Sequence, residues 1–300
     1  MTKRTVRGRP GWIATAGIIS LLVFLQIATP ALRIQDDERR LWDTEFLKKR
    51  QPAKTAVAKR TASYRRATPK SSSTDDKTPG EMLGVTIWRL RLPSAKDNKD
   101  SRLLLQEESK DENTEWTPER VEADTSFATG ERVRLSIESP RTGYLYVIDR
   151  EQYADGTTSE AYLIFPTLRL RGGNNSVSAG KVIELPENSA FRLKPMRPDY
   201  KGELLTLLVT TEPLSGIAAG PTIQKLDGKL VEQWEHEWAA TTERFEMVGG
   251  AGKTYTKTEK EAGAEGRLLT QEDELPQTLF RVVAKPGNPL LVVVPLKISQ

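Results

Sequence analysis

The 300 residues predict an all-β fold, mainly an antiparallel β-sandwich, with one helical insertion and a disordered N-terminal tether. Three observations point there. From residue 81 onward, apolar side chains recur with a period of two rather than 3.6. The alternating segments are short and follow one another without the crossover helices that parallel neighbours require, which favours antiparallel sheets in two layers. Before residue 81, an uncharged apolar run gives way to a stretch with almost nothing to bury.

The chain opens with Lys3, Arg4, Arg7 and Arg9, and then GWIATAGIISLLVFLQIATPAL (11–32) carries no charge. That is the layout of an export signal. Thr29 and Ala31 supply small residues for a cleavage site, so the mature chain is expected to begin at Leu32 and to lie in the periplasm or outside the cell. The run is close to the ~20 residues that span a bilayer, so an uncleaved membrane anchor is the alternative. Basic residues flank both of its ends and fix no orientation.

Residues 33–50, RIQDDERRLWDTEFLKKR, are rich in helix formers, and Trp42 with Phe46 makes an i, i+4 apolar pair, so a short surface helix is expected. Residues 51–80 are dense in Lys, Arg, Ser, Thr and Pro and read as a disordered spacer. A polybasic strip touching anionic lipid or wall polymer is its functional alternative, which would add to any membrane contact made by residues 12–31. The domain plan is therefore 1–31 signal or anchor, 32–80 helix plus linker, and 81–300 sandwich with a helical insertion at about 227–262.

Within the body, RVRLSIE (132–138) alternates so that Val133, Leu135 and Ile137 point inward and Arg132, Arg134, Ser136 and Glu138 toward water. GYLYVID (143–149) and AYLIFP (161–166) are apolar on both faces, as central strands are, and form a hairpin across DREQYADGTTSE with Asp155 and Gly156 in the turn. Further strands are expected at 84–92, 181–186, 191–194, 204–210, 278–284 and 290–296, the last an edge or bulged strand because of Pro295. In LVEQWEHEWAATTERF, Val231, Trp234, Trp238, Thr242 and Phe245 recur at spacings of three and four, predicting one amphipathic helix capped by Asp227.

MVGGAGKTYTKT (247–258) contains GAGKT, which looks like a phosphate loop. That motif needs a glycine five residues before Gly252, where this chain has Met247, and a strand before it, where a helix is expected. Gly249 and Gly250 are read instead as the stop of the first helix, and Thr256 with Glu259 as the capping box of a second.

Charge narrows the partners. The formal charge is +4, but residues 71–300 carry 29 basic against 36 acidic groups, so the body is acidic and a nucleic-acid groove is excluded. There is no cysteine, hence no disulfide, thiolate metal site or thiol nucleophile. The single histidine, His236, has no second histidine four residues on, and reads as a surface residue beside Glu235 and Glu237.

Asp149, Glu151 and Asp155 cluster in the hairpin loop without the spacing of any calcium loop, so no cofactor or metal is expected. With Tyr153 they form the candidate interaction surface. Tyr144, Tyr146, Tyr153, Tyr162, Trp88 and Trp116 would furnish an aromatic platform for sugar or peptide if exposed, but central-strand tyrosines are more often core.

The succession FATGERVRLSIESPRTGYLYVIDREQYADGT, AYLIFPT, RGGNNSVSAGKVIELP and ELLTLLVTTEPL, over residues 127–214, resembles the bacterial domain-of-unknown-function family 4384. The likeness rests on Gly130 through Leu135, Gly143 through Val147, Phe165-Pro166, Asn175 through Lys181, Leu185-Pro186 and Leu204 through Leu214. It implies an exported or envelope-associated β module and brings no catalytic residues. The expected function is a non-catalytic envelope module that contacts a protein or an envelope polymer. A secreted hydrolase using paired carboxylates and a carbohydrate-binding module are the alternatives.

Overall fold

The structure, a computed structural model, describes residues 46–52, 62–68, 79–106 and 113–299. The apolar run, its cleavage site, Trp42 and much of the linker lie outside the described residues. In chain order the strands are β1 (Tyr64–Arg66), β2 (Glu81–Arg91), β3 (Leu103–Gln106), β4 (Asn113–Val121), β5 (Ser126–Phe127), β6 (Arg132–Glu138), β7 (Gly143–Tyr153) and β8 (Tyr162–Phe165). They continue with β9 (Ser176–Val177), β10 (Val182–Leu185), β11 (Phe191–Arg192), β12 (Tyr200–Thr210), β13 (Gln224–Lys225), β14 (Thr241–Met247), β15 (Thr278–Val283) and β16 (Leu290–Ile298).

Two sheets result, antiparallel except where β5 joins β16. In the first, β2 is the hub: β6 lies along one side and carries β10 and β11, while β15 and β4 divide the other and lead out to β14, β1 and β3. The second runs β13, β8, β7, β12, β16, β5, with β9 on β7. Between them the alternating residues of both sheets close one apolar core, including Ile87, Leu135, Leu145, Val147, Leu207 and Val292. The fold is the all-β sandwich that the period-two pattern predicts.

Pro295 sits where its missing N–H costs nothing. Ser299 donates to the Phe127 carbonyl, so odd-numbered residues at this end of β16 point away from β12, and alternation along the strand aims Pro295 at the same, largely unpaired edge.

Both sheets are covered on their outer faces as well, and here several expectations are corrected. Arg134 and Glu138 do not face water. They are 3% and 4% exposed, under residues 46–51 and 248–277. Arg134 donates to Glu184 at 2.9 Å, and Arg50 forks onto Glu138 at 2.9 and 2.7 Å. Alternation separates the two faces of a strand but does not say whether water or another layer lies outside.

The tether is likewise no plain spacer where it is described. Of the helix expected over 33–50, residues 33–45 lie outside the described residues; residues 47–49 form a 3₁₀ turn, and Phe46 and Leu47 are buried against Met82, Phe245 and Leu279 rather than on the surface. Tyr64–Arg66 adds a strand to β14, with Arg65 paired to Glu122 and Arg66 to Glu243. Basic linker residues thus find the acidic body, which a composition-based expectation of disorder does not see.

The predicted long helix is split. Gly228–Glu237 is helical, with the Asp227 carboxylate accepting from the Lys229 N–H at 3.0 Å, and it lays Val231 and Trp234 on the outer face of the second sheet. Thr242 and Phe245 belong to β14 instead. Gly249 and Gly250 therefore turn the chain after a strand. The second helix, Lys257–Glu265, has the predicted capping box from Thr256 and Glu259. Thr256→Ala is expected to cost about 1 kcal/mol, read as a lower midpoint in urea unfolding at unchanged slope.

Candidate interaction cleft

The β7–β8 hairpin builds the site. Strand β7 runs on to Tyr153, and a tight turn follows in which Gly156, at φ +84°, donates to the Tyr153 carbonyl. Glycine is required there because the left-handed region penalises any Cβ. Asp155 closes the turn by accepting from the Thr157 N–H at 2.9 Å and hydroxyl at 2.6 Å. Those bonds, with a lesser contribution from Arg197, hold its carboxyl below the ordinary aspartate range.

Arg197 arrives from the segment before β12. Its guanidinium lies 4.0 Å from the centre of the Tyr153 ring and bridges Asp155, at 3.3 Å, and Asp199, at 2.7 Å. Cation–ring attraction and two exposed ion pairs are individually small, but together they orient one side chain. Beside it opens a cleft of about 520 Å³, walled by Met196 and Arg197 on one side, by Thr158, Ser159 and Tyr162 of the hairpin on another, and by the helix start at Gly228, Val231 and Glu232. Arg150 lines the cleft and pairs with Glu235 of that helix, which also accepts from the Thr206 hydroxyl. The lining mixes both charge signs, hydroxyls and apolar carbon, a chemistry suited to a polar chain such as a peptide or glycan.

The four predicted residues divide. Tyr153 lines the cleft with Arg197, which sequence reasoning missed, and Asp155 lies beside it as a partner of Arg197. Asp149 and Glu151 share the parity of Leu145 and Val147 along β7 and so point between the sheets. There they meet Glu203 of β12, which is directly opposite Glu151 and diagonal to Asp149. The Asp149 and Glu203 carboxyls lie within hydrogen-bonding reach of each other, and the Tyr200 hydroxyl donates to Glu203 at 2.6 Å.

Burial, followed by the neighbouring carboxyls, pushes Glu203 up to about 8; burial also pushes Asp149 up to about 6. None of these three acids lines the cleft. They can hold a proton, but a substrate in the cleft would not meet them.

Other sequence features are used internally. The loop around GAGKT spends its amides on β4 and on itself: Gly252 donates to Arg120 and Tyr255 to Pro118 of β4, and Lys253 donates back to Gly250. A strand, β14, precedes it after all, but these amides are occupied and Met247 stands where a phosphate loop needs its first glycine. Trp88, Trp116 and Tyr146 are buried, and His236 is exposed on its helix. Arg50 and Arg120, each paired with a glutamate, border a cavity of about 40 Å³ beneath the first sheet's cover, as does Glu184, the partner of Arg134; it has room for a few waters. Among the described residues no cluster of three His, Cys, Asp or Glu is placed to hold a metal, and no helix is long and apolar enough to cross a membrane. No family model, curated protein or solved structure matches the chain.

Proposed function

We propose that this chain is an exported, non-catalytic envelope module that binds a protein or an envelope polymer through the cleft beside the 153–157 turn. The observation carrying the binding half is the posture of Arg197: stacked on Tyr153, braced by Asp155 and Asp199, and set next to Met196, which is 62% exposed. An oriented guanidinium beside exposed apolar surface at the mouth of a polar cleft is the kind of anchor on which interfaces concentrate their affinity. The export half is supported by the uncharged run 11–32 behind four basic residues, and by the resemblance to envelope-associated modules.

Two measurements test the two halves separately. Cell fractionation should find the chain beyond the cytoplasm and a version lacking residues 1–31 inside it; the chain in the cytoplasm with residues 1–31 intact would end the export reading. For binding, the purified chain is sedimented with isolated wall polymer and, in parallel, crosslinked in cells through a photoreactive residue at position 232. Arg197→Glu is expected to reduce the retained fraction or the crosslink roughly tenfold or more. Equal signals from wild type and variant would remove the cleft from the proposal.

A further inference from the structure

The carboxyl trio beneath the cleft has no part in the binding just proposed, and its geometry is unusual. Glu151 and Glu203 face each other across β7 and β12, an arrangement in which like charges oppose folding. Both are under 10% exposed. Glu151 is provided for, because both its oxygens accept from the Met196 N–H, at 2.9 and 3.1 Å. Glu203 has the Tyr200 hydroxyl on one oxygen. Its other oxygen, Oε2, and Asp149 Oδ1 are buried and have no donor.

The groups that face the pair supply no cation. On β7 there are Glu151 and Tyr153, and on β12 Tyr200. Arg197 is engaged outside by Asp155 and Asp199, and Lys194 is exposed. Arg150 and Lys297 have the opposite strand parity, and Arg150 pairs with Glu235. From the first sheet's end of the sandwich come Arg89 and Glu131, already paired with each other. Three carboxylates in such a place cannot all be charged, since burial without a counter-ion penalises the ionised form heavily. One proton shared between the Asp149 and Glu203 carboxyls, which lie within hydrogen-bonding reach of each other, relieves that penalty where each residue has an oxygen without a donor.

We infer that this shared proton is a latch: it holds residues 193–199 down over the end of the sandwich, and its loss at alkaline pH lifts them and reshapes the cleft they wall. The segment is pinned at its ends, by Leu193 to Gly130 and Glu131 and by Asp199 to the Ala154 N–H. Between those points it is fastened to the trio through Met196 and Glu151. When Asp149 and Glu203 are both ionised they must be hydrated, and among the described residues outside the strands it is this segment that is hydrogen-bonded to the trio.

The sign follows from the upward displacement of both carboxyls. The stabilisation is complete below the ordinary carboxylate range and is lost as pH rises through about 8, where Glu203 releases its proton. The inference concerns the wall of the cleft and stands whatever the cleft binds.

The test is amide hydrogen exchange on the full chain at pH 6.5 and pH 9, corrected for the intrinsic pH dependence of exchange. Protection at Met196 is expected to fall roughly tenfold or more between the two, while Val147 in the core strand is unchanged. Glu203→Gln, which keeps an acceptor for Tyr200 but has no proton to lose, is expected to abolish the difference. Should that variant fold poorly, a carbon-13 titration of the wild-type Glu203 carboxyl decides. A midpoint near 8 supports the latch and one in the ordinary glutamate range overturns it, as does pH-independent protection at Met196.

Discussion

Arg50→Ala in the full chain is expected to lower stability by about 3–5 kcal/mol, the typical cost of leaving one buried charge without its partner. The side chains of Arg50 and Glu138 are 1% and 5% exposed. Arg50 donates twice to Glu138 and also to the carbonyls of Asp273, at 2.8 Å, and Glu274, at 3.0 Å. Alanine removes this donor from Glu138 and from the carbonyls, which include that of Thr270 at 3.4 Å.

At roughly 2–4 °C per kcal/mol for a domain of this size, the melting temperature should drop by about 6–20 °C. The double variant Arg50→Met, Glu138→Leu separates charge burial from lost packing, since apolar replacement of a buried pair is commonly neutral or better; it should recover most of the loss. A shift below about 0.5 kcal/mol for Arg50→Ala, as for a solvated surface residue, would return residues 46–52 to the status of a tether.

That contrast shows what the linear pattern can carry. Val133, Leu135 and Ile137 announce their strand because alternation records which side faces the core, and Leu145 with Val147 does the same. Arg50 looks like the end of a surface helix and Arg65 like solvated linker because their partners, Glu138 and Glu122, lie 88 and 57 residues away. Strand β14 was hidden for a related reason. Its buried Glu243 is held by Arg281 at 2.8 Å and Arg66 at 2.6 Å, so an acid occupies a core position while Thr242 and Phe245 happen to continue a helical spacing from Trp234 and Trp238.

Strand β4 escaped because NTEWTPERV alternates poorly and contains Pro118, and β3, LLLQ, is too short to show a period. For the cleft, the turn at Asp155 and Gly156 was legible from turn chemistry. The inward direction of Asp149 and Glu151 was also written in the parity of Leu145 and Val147, had it been followed two steps further. Arg197, 42 residues beyond Asp155, and Glu203, whose position depends on strand register, required the fold itself.

Gly202→Ala is expected to be the costliest single methyl that can be added near the trio. Gly202 has φ +145°, and a Cβ there would fall on the Leu296 carbonyl oxygen of the neighbouring strand. Backbone strain of about 1–3 kcal/mol and overpacking of about 1–3 kcal/mol together give a loss of roughly 2–6 kcal/mol. The glycine also makes the trio possible. Residues 200 and 203 have opposite parity and would face opposite sides of a regular strand, but the register shifts between Tyr200 and Gly202, leaving Lys201 as the extra residue.

The bulge turns Tyr200 inward with Glu203, where its hydroxyl donates at 2.6 Å. Burial, then the Glu203 carboxylate, holds that phenol above the ordinary tyrosine range. If alanine irons out the bulge, Tyr200 should titrate near the usual value of about 10, a change visible as a new component in the ultraviolet pH titration. Gly156→Ala is the control, because φ there is +84° but nothing lies within 4 Å of the added methyl, so only the backbone preference of about 1 kcal/mol is lost. Equal losses from the two variants, with the tyrosine titration unchanged, would mean that β12 tolerates a side chain at the bulge and that Tyr200 does not depend on Gly202 for its place beside Glu203.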